Sequence, residues 1–370
     1  MKLPLLGRIG SVALVGTLAL ALSACGSDNP TDAPAATGSD APVSTLSGTL
    51  NGGGSSAQEK AQQAWVAGFQ TANPNVTVNY TTTDSGAGRK GFLDSSLDLA
   101  GSDSALNDEE LASSTDRCFG GSGTDLPVYI SPIAVAFNID GVKELNLSAD
   151  VVAKIFNGTI TTWDDAAITA LNPDATLTGA ITVVHRSDDS GTSKNFQDYL
   201  SKTAPSVWTY EVSNTWPVQV GQGANGTSGV VQTIQAATGT IGYADASAVG
   251  DLGKVSLGVG SEFVAPTADA AAKTVDVSPR DDARGEGDIV IKVDRTTTES
   301  GAYPAILVSY LVVCNTYDSQ DKVDLIKGYA TYVASAEGQE KAATAAGSAA
   351  ISDTLRADVQ ASIDAISVKK

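Results

Sequence analysis

The sequence predicts an α/β protein built from two α/β lobes. Three observations lead there. Strand-like and helix-like segments alternate from about residue 46 onward, the pattern of sheets covered by helices on both faces. Two of the strand segments, "LPVYISPIAVAFNI" and "AILVSYLVVC", are near-continuous apolar and β-branched runs. The alternating part holds about 325 residues, which fits two such units.

In order along the chain, "LSGTLNGGG" reads as a strand running into a glycine turn. "SSAQEKAQQAWVAGFQTANP" carries Trp65 and Phe69 four residues apart and reads as a helix stopped near Pro74. "VTVNYTTT" is a strand, "GRKGFLDSSL" a helix and "LDLAGSD" a strand. The long run over 126–139 is a strand, and "SADVVAKIFNG" a helix closed by Gly158. "AITVVHR" leads into the helix "SKNFQDYLS", and "SGVVQTIQAATGTIGYAD" is helix then strand. Near the end, 305–314 is a strand and "KVDLIKGYATYVASAEGQEKAATAAG" is helical. Alternation of this kind predicts parallel sheets. The four tryptophans, Trp65, Trp163, Trp208 and Trp216, are expected in packing, and "DVSPRDDARGEGD" (276–288) on a solvated loop.

Composition narrows the function classes. The 370 residues carry a net charge of −19 and one histidine, with no basic patch, so nucleic-acid binding is not expected. Lys2 and Arg8 precede the apolar run "SVALVGTLALAL", which is shorter than a membrane span and ends in "LSAC". This matches a secretory signal over 1–24. The Leu-Ser-Ala-Cys ending resembles a bacterial lipobox, which implies that Cys25 is acylated, as with palmitate, and becomes the mature N-terminus. Residues 26–45 are Ser, Asp, Pro, Ala and Thr with almost no apolar bulk, so 25–45 reads as a lipidated cysteine and its flexible tether. Cys118 and Cys314 then remain. In an exported chain an even remainder favours a disulfide over two buried thiols.

Three glycine- and serine-rich turns lie just past a strand and just before a helix: "NGGGSSAQ" (51–58), "TDSGAGRKG" (83–91) and "RSDDSGTSKN" (186–195). Ligands in open α/β sheets bind beyond the carboxyl ends of strands, where helix N-termini offer unpaired N–H groups and partial positive charge. Arg186 beside the third turn makes the set suited to an oxyanion. Catalysis has little support: neither G-x-S-x-G nor a P-loop is present. His185, the sole histidine, alternates on its strand with Arg186 and faces the other way. No catalytic residue, cofactor or metal is expected.

These residues carry a resemblance. "VVHRSDDSGTSKNFQDYL" resembles the arginine, acid and Ser-Gly-Thr-Ser loop of the phosphate-binding protein of the high-affinity bacterial phosphate ABC transporter. "GSDSAL" (101–106), "KIFNGTITTWDD" and "GANGTSGV" with "GTIGYAD" are similar to further stretches of that family. The resemblance spans roughly 46–350. It implies a periplasmic-binding-protein-like fold of type II, with a hinge crossed more than once and the ligand between lobes 46–133 plus 306–370 and 134–305. It places phosphate ligands at Ser55, Ser56, Ala57, Ser85, Asp103, Arg186, Ser190, Gly191 and Thr192. At the first turn this chain departs from the family's Thr-Phe-Pro, so which hydroxyl serves there stays open.

The chemistry of Asp103 agrees independently. A carboxylate beside an anion is costly unless the anion has a proton to donate, which phosphate has and sulfate lacks; the alternative role is a helix N-cap. Asp188 and Asp189 are expected to hold Arg186. The implied protein is a monomeric, non-enzymatic lipoprotein on the extracytoplasmic face of the cell membrane, passing phosphate to an ABC permease. The alternatives are a receptor for another tetrahedral oxyanion, or a lipid-anchored adhesin or signalling protein that keeps the fold.

Overall fold

The structure, a computed structural model, describes residues 44–370. The signal segment 1–24, Cys25 and the tether up to residue 43 lie outside the described residues.

The first elements are β1 (Gly48–Gly54), α1 (Glu59–Ala72), β2 (Val76–Thr82), α2 (Ser85–Leu93), β3 (Leu99–Ser102) and α3 (Asp108–Arg117). α2 begins three residues before the predicted helix and ends four residues before its end. Asp84 caps it by accepting the Ala87 N–H at 2.7 Å, which makes the glycine-rich "SGAGRKG" helical. α3 opens with a capping box in which Asn107 and Glu110 satisfy each other's backbone N–H groups. Asp103 is therefore not its N-cap.

Next come β4 (Gly123–Asn138), β5 (Glu144–Leu147), α4 (Ala149–Phe156), α5 (Ala166–Thr169), β6 (Thr182–Arg186), α6 (Gly191–Thr203), β7 (Gln222–Ala224), α7 (Gly226–Ala236) and β8 (Thr240–Asp245). Ser148 caps α4, and Gly158 takes the positive φ that closes it, 80°. The chain ends with β9 (Gly253–Val259), β10 (Glu262–Val264), α8 (Ala268–Asp276), β11 (Ile306–Cys314), β12 (Thr316–Tyr317), α9 (Gln320–Ala334), α10 (Ala336–Ala346), α11 (Asp353–Ala365) and β13 (Ser367–Val368).

The main sheet runs β2-β1-β3-β11-β4-β8-β6-β7, with β9 also on β4 and β5 and β10 on β9. β1 is parallel to β2 and β3, and β6 is parallel to β7 and β8. The sheet as a whole is mixed rather than parallel. β11 is antiparallel to β3 and β4, and β4 to β8. The reason lies in β4: residues 123–132 pair with β11, whereas 133–138 pair with β8. The chain leaves the first half of the sheet along β4 and returns along β11, and adjacent outward and return runs must be antiparallel. β4 carries an extra residue, because Ser309 faces Tyr129 and Tyr310 faces Pro127, leaving Val128 unopposed. The Val128 carbonyl finds its partner in the Gln339 amide at 2.9 Å.

The core fills both halves. All four tryptophans are buried. Cys118, just past α3, is joined to Cys314 at the end of β11, with Cα atoms 5.2 Å apart across 196 residues of sequence. The segment 276–288 is not simply a solvated loop. Arg284 donates to Asp125 at 2.6 Å, to Asp288 at 2.8 Å and to the Leu106 carbonyl at 2.8 Å. Asp125 is fully buried and requires a counter-charge, and the loop supplies it.

Candidate anion site

Asp103 follows β3 and is 3% exposed. Three hydroxyls donate to its carboxylate: Ser55 at 2.6 Å and Ser309 at 2.7 Å to Oδ1, and Thr192 at 2.9 Å to Oδ2. Its N–H donates to Ser85 Oγ at 3.1 Å. These groups come from the turn before α1, from β11, from the first turn of α6 and from the start of α2. A carboxylate offers about four acceptor sites, so three hydroxyls leave room for one further donor.

Gly191 explains how α6 approaches so closely. A Cβ there would stand 2.6 Å from Ser85 Oγ and 2.8 Å from Asp103 Cβ, closer than real side chains come. Ser190 caps α6 by accepting the Ser193 N–H at 3.1 Å. Ser55 Oγ also accepts the Ala57 N–H at 3.1 Å, which shapes the first turn. Ser56 and Thr227 pair hydroxyls at 3.0 Å, and the Thr227 N–H donates to Ser56 Oγ at 3.1 Å.

Arg186 ends β6 with its guanidinium buried. It makes a two-pronged contact with Asp188, with Nε to Oδ1 at 2.7 Å and Nη2 to Oδ2. Burial pushes the Asp188 carboxyl up, but the hydrogen bonds and charge of Arg186 outweigh it and hold the group below the usual carboxylate range. The Gly226 N–H donates to the same carboxylate at 3.3 Å, so Asp188 also ties Arg186 to the start of α7. Asp189 does not share this role: it accepts from Asn214 Nδ2 at 2.5 Å. His185 turns away and stacks on Trp216 at 5.6 Å.

The nine predicted positions thus fall into two linked groups. Ser55, Ala57, Ser85, Asp103, Ser190, Gly191 and Thr192 gather around the carboxylate. Ser56 and Arg186 reach the start of α7 through Thr227 and Asp188. Two residues of the site escaped the sequence reading. Thr227 opens a helix just after a short strand, the same signal that marked the other turns. Ser309 is the one serine or threonine within an apolar strand run, and that isolation was the only clue. Among the described residues no group of three His, Cys, Asp or Glu side chains could hold a metal, and no helix is long and apolar enough to cross a membrane.

Comparison with known proteins gives a consistent outcome. A family model described as the PBP superfamily domain matches residues 39–337. Phosphate-binding protein PstS 3 of Mycobacterium tuberculosis is 38% identical over 328 residues, covering 85% of this chain and 88% of that protein. Phosphate-binding protein PstS 2 of the same organism is 35% identical, covering 99% of this chain and 100% of that protein. In fold, the chain is similar to a high-affinity periplasmic phosphate-binding protein (PfluDING) bound with phosphate. That match has a TM-score of 0.69 at 22% identity and covers 85% of this chain and 93% of that one.

Proposed function

The chain belongs to the PBP superfamily and, within it, to the PstS phosphate-binding proteins, and from that premise we propose that it captures inorganic phosphate outside the cytoplasm for an ABC permease. The observation that carries this reading is the single acceptor position left on Asp103. A phosphate O–H fits it, and sulfate has no proton to offer. Arg186 and the N–H groups at the starts of α2 and α6 complement the remaining oxygens. In this reading the phosphate contacts are Ser55, Ser56, the backbone at Ala57, Ser85, Asp103, Arg186, Ser190, Gly191 and Thr192.

The lobes are 46–133 plus 306–370, and 134–305. The exchange of β4 partners after Pro132 and the start of β11 at Ile306 support that division. The Cys118–Cys314 bond suits an oxidising compartment. In this reading the protein is a monomer held to the outer face of the membrane by an acylated Cys25 and acts without catalysis.

Titration calorimetry tests the reading. The wild-type protein should bind phosphate and reject sulfate by roughly 10⁴ or more, the discrimination available to a site built around a ligand hydroxyl. Asp103→Asn should narrow the sulfate-to-phosphate ratio by at least about tenfold, more than it weakens phosphate itself. An unchanged ratio in a folded variant would refute the proton-reading role of Asp103. Equal wild-type affinity for the two anions would refute the phosphate assignment.

A further inference from the structure

Arg295 is 2% exposed and touches none of the nine predicted ligand positions, yet nearly every donor of its guanidinium is spoken for. Nε donates to Asp198 Oδ2 at 2.9 Å, and Nη1 to the carbonyls of Pro304 at 2.9 Å and Ile306 at 2.6 Å. Nη2 donates to Asn195 Oδ1 at 2.6 Å. A guanidinium has no acceptor, so the amide of Asn195 must turn its oxygen toward Arg295. Its NH2 then points the other way, where it donates to the carbonyls of Asp103 at 2.6 Å and Gly191 at 3.0 Å. Those carbonyls can only accept, so the reversed amide would face like with like at every contact. Arg295 therefore sets the amide in the one orientation that satisfies all four groups.

The two NH2 bonds differ in kind. Gly191 lies on the same helix as Asn195, one turn earlier, and that bond persists however the lobes move. Asp103 belongs to the other lobe, so the second bond exists only when the lobes meet. Pro304 and Ile306 flank the entry to β11, the return crossing. One guanidinium thus fixes the crossing, the ligand helix and the donor that reaches across the cleft.

We infer that Arg295 is a positioning residue that presets Asn195 as an inter-lobe latch on the Asp103 backbone, holding the closed receptor and its selectivity carboxylate together. Its effect on ligand release rests on the phosphate-receptor reading; the latch itself does not.

Release of radiolabelled inorganic phosphate into excess unlabelled phosphate is the test. Asn195→Leu keeps side-chain size and charge while removing the donor. It should speed dissociation about tenfold, as loss of one hydrogen bond of the closed state would, with the association rate within about twofold of wild type. Arg295→Met should do the same, and Arg295→Lys should recover part of the loss. A purely structural arginine would lower the melting temperature without changing the release rate of the folded protein. An unchanged release rate in folded Asn195→Leu overturns the latch. If wild-type protein binds no phosphate, the functional reading fails instead, and hydrogen exchange of residues 102–105 decides the latch. Faster exchange in Asn195→Leu than in wild type supports it, and identical exchange overturns it.

Discussion

Asp245 sits where β4 changes partners, opposite Ile133, and is fully buried. Tyr129 donates to both its oxygens at 3.2 Å, and the Ser247 N–H donates at 2.9 Å. Burial pushes its carboxyl up to about 6, against the hydrogen bonds of Ser247 and Ser131 and helped by the charge of Asp103. Because the folded value lies above the unfolded one, the stability this group lends is full below about pH 4 and is lost as pH rises toward 6. Asp245→Asn abolishes the titration. Its unfolding free energy relative to wild type should therefore grow by about 3 kcal/mol from pH 4 to pH 7 and then level off, as read by urea denaturation. A difference independent of pH would show that Asp245 stays ionised throughout. At this scale the sequence was most informative where chemistry and spacing coincide, as at Arg186, Asp103 and Ser190–Thr192. Thr227 and Asn195 owe their roles to what lies across the cleft, and Ser309 owes its role to the end of the neighbouring strand β3, none of which a local pattern encodes.

Strands and most helices were legible because burial writes itself into them as apolar runs and periodicity. β4 is buried along nearly its whole length and reads so. Strand direction was not legible, since it depends on which distant strand lies alongside. The helical stretch expected over 322–347 is two helices, α9 and α10, parted at Ser335, whose hydroxyl accepts the Gly338 N–H at 3.0 Å and starts a new helix. The disulfide is the covalent statement at this scale, tying the end of α3 to the end of β11. Replacing both cysteines, Cys118→Ser with Cys314→Ser, should lower unfolding free energy by about 2–5 kcal/mol in urea titrations. Phosphate affinity should stay within about twofold, because neither sulfur contacts the anion site and a distant change adds independently. A tenfold loss of affinity would mean that the bond shapes the site.

For the whole molecule, the site is divided. Ser55, Ser85 and Asp103 come from one side of the β4 crossing, and Arg186 with Ser190–Thr192 from the other. An anion touching both sets contacts the closed arrangement more fully, so binding must shift the population toward closure. Small-angle scattering should show a smaller radius of gyration on saturation of the wild type with phosphate. Arg186→Ala should abolish that change and weaken binding by about 100-fold or more, as loss of a buried charged contact does, while circular dichroism stays native. A radius indifferent to phosphate in the wild type would rule out a hinged receptor.

The unopposed Val128 has a consequence for how such a protein can diverge. Side chains of a strand alternate, so one extra residue turns over everything on one side of it relative to the other. Ahead of Val128, that inversion decides that Asp125, rather than Leu126, points to Arg284. A single deletion that keeps the bulge and slides the run by one would bring Thr124 opposite Val312 in place of Asp125 and carry the carboxylate to the position of Leu126 on the opposite face, with no side chain exchanged for another type. For descendants of this chain, a change of length by one in the crossing strand is a larger step than most substitutions in the cleft.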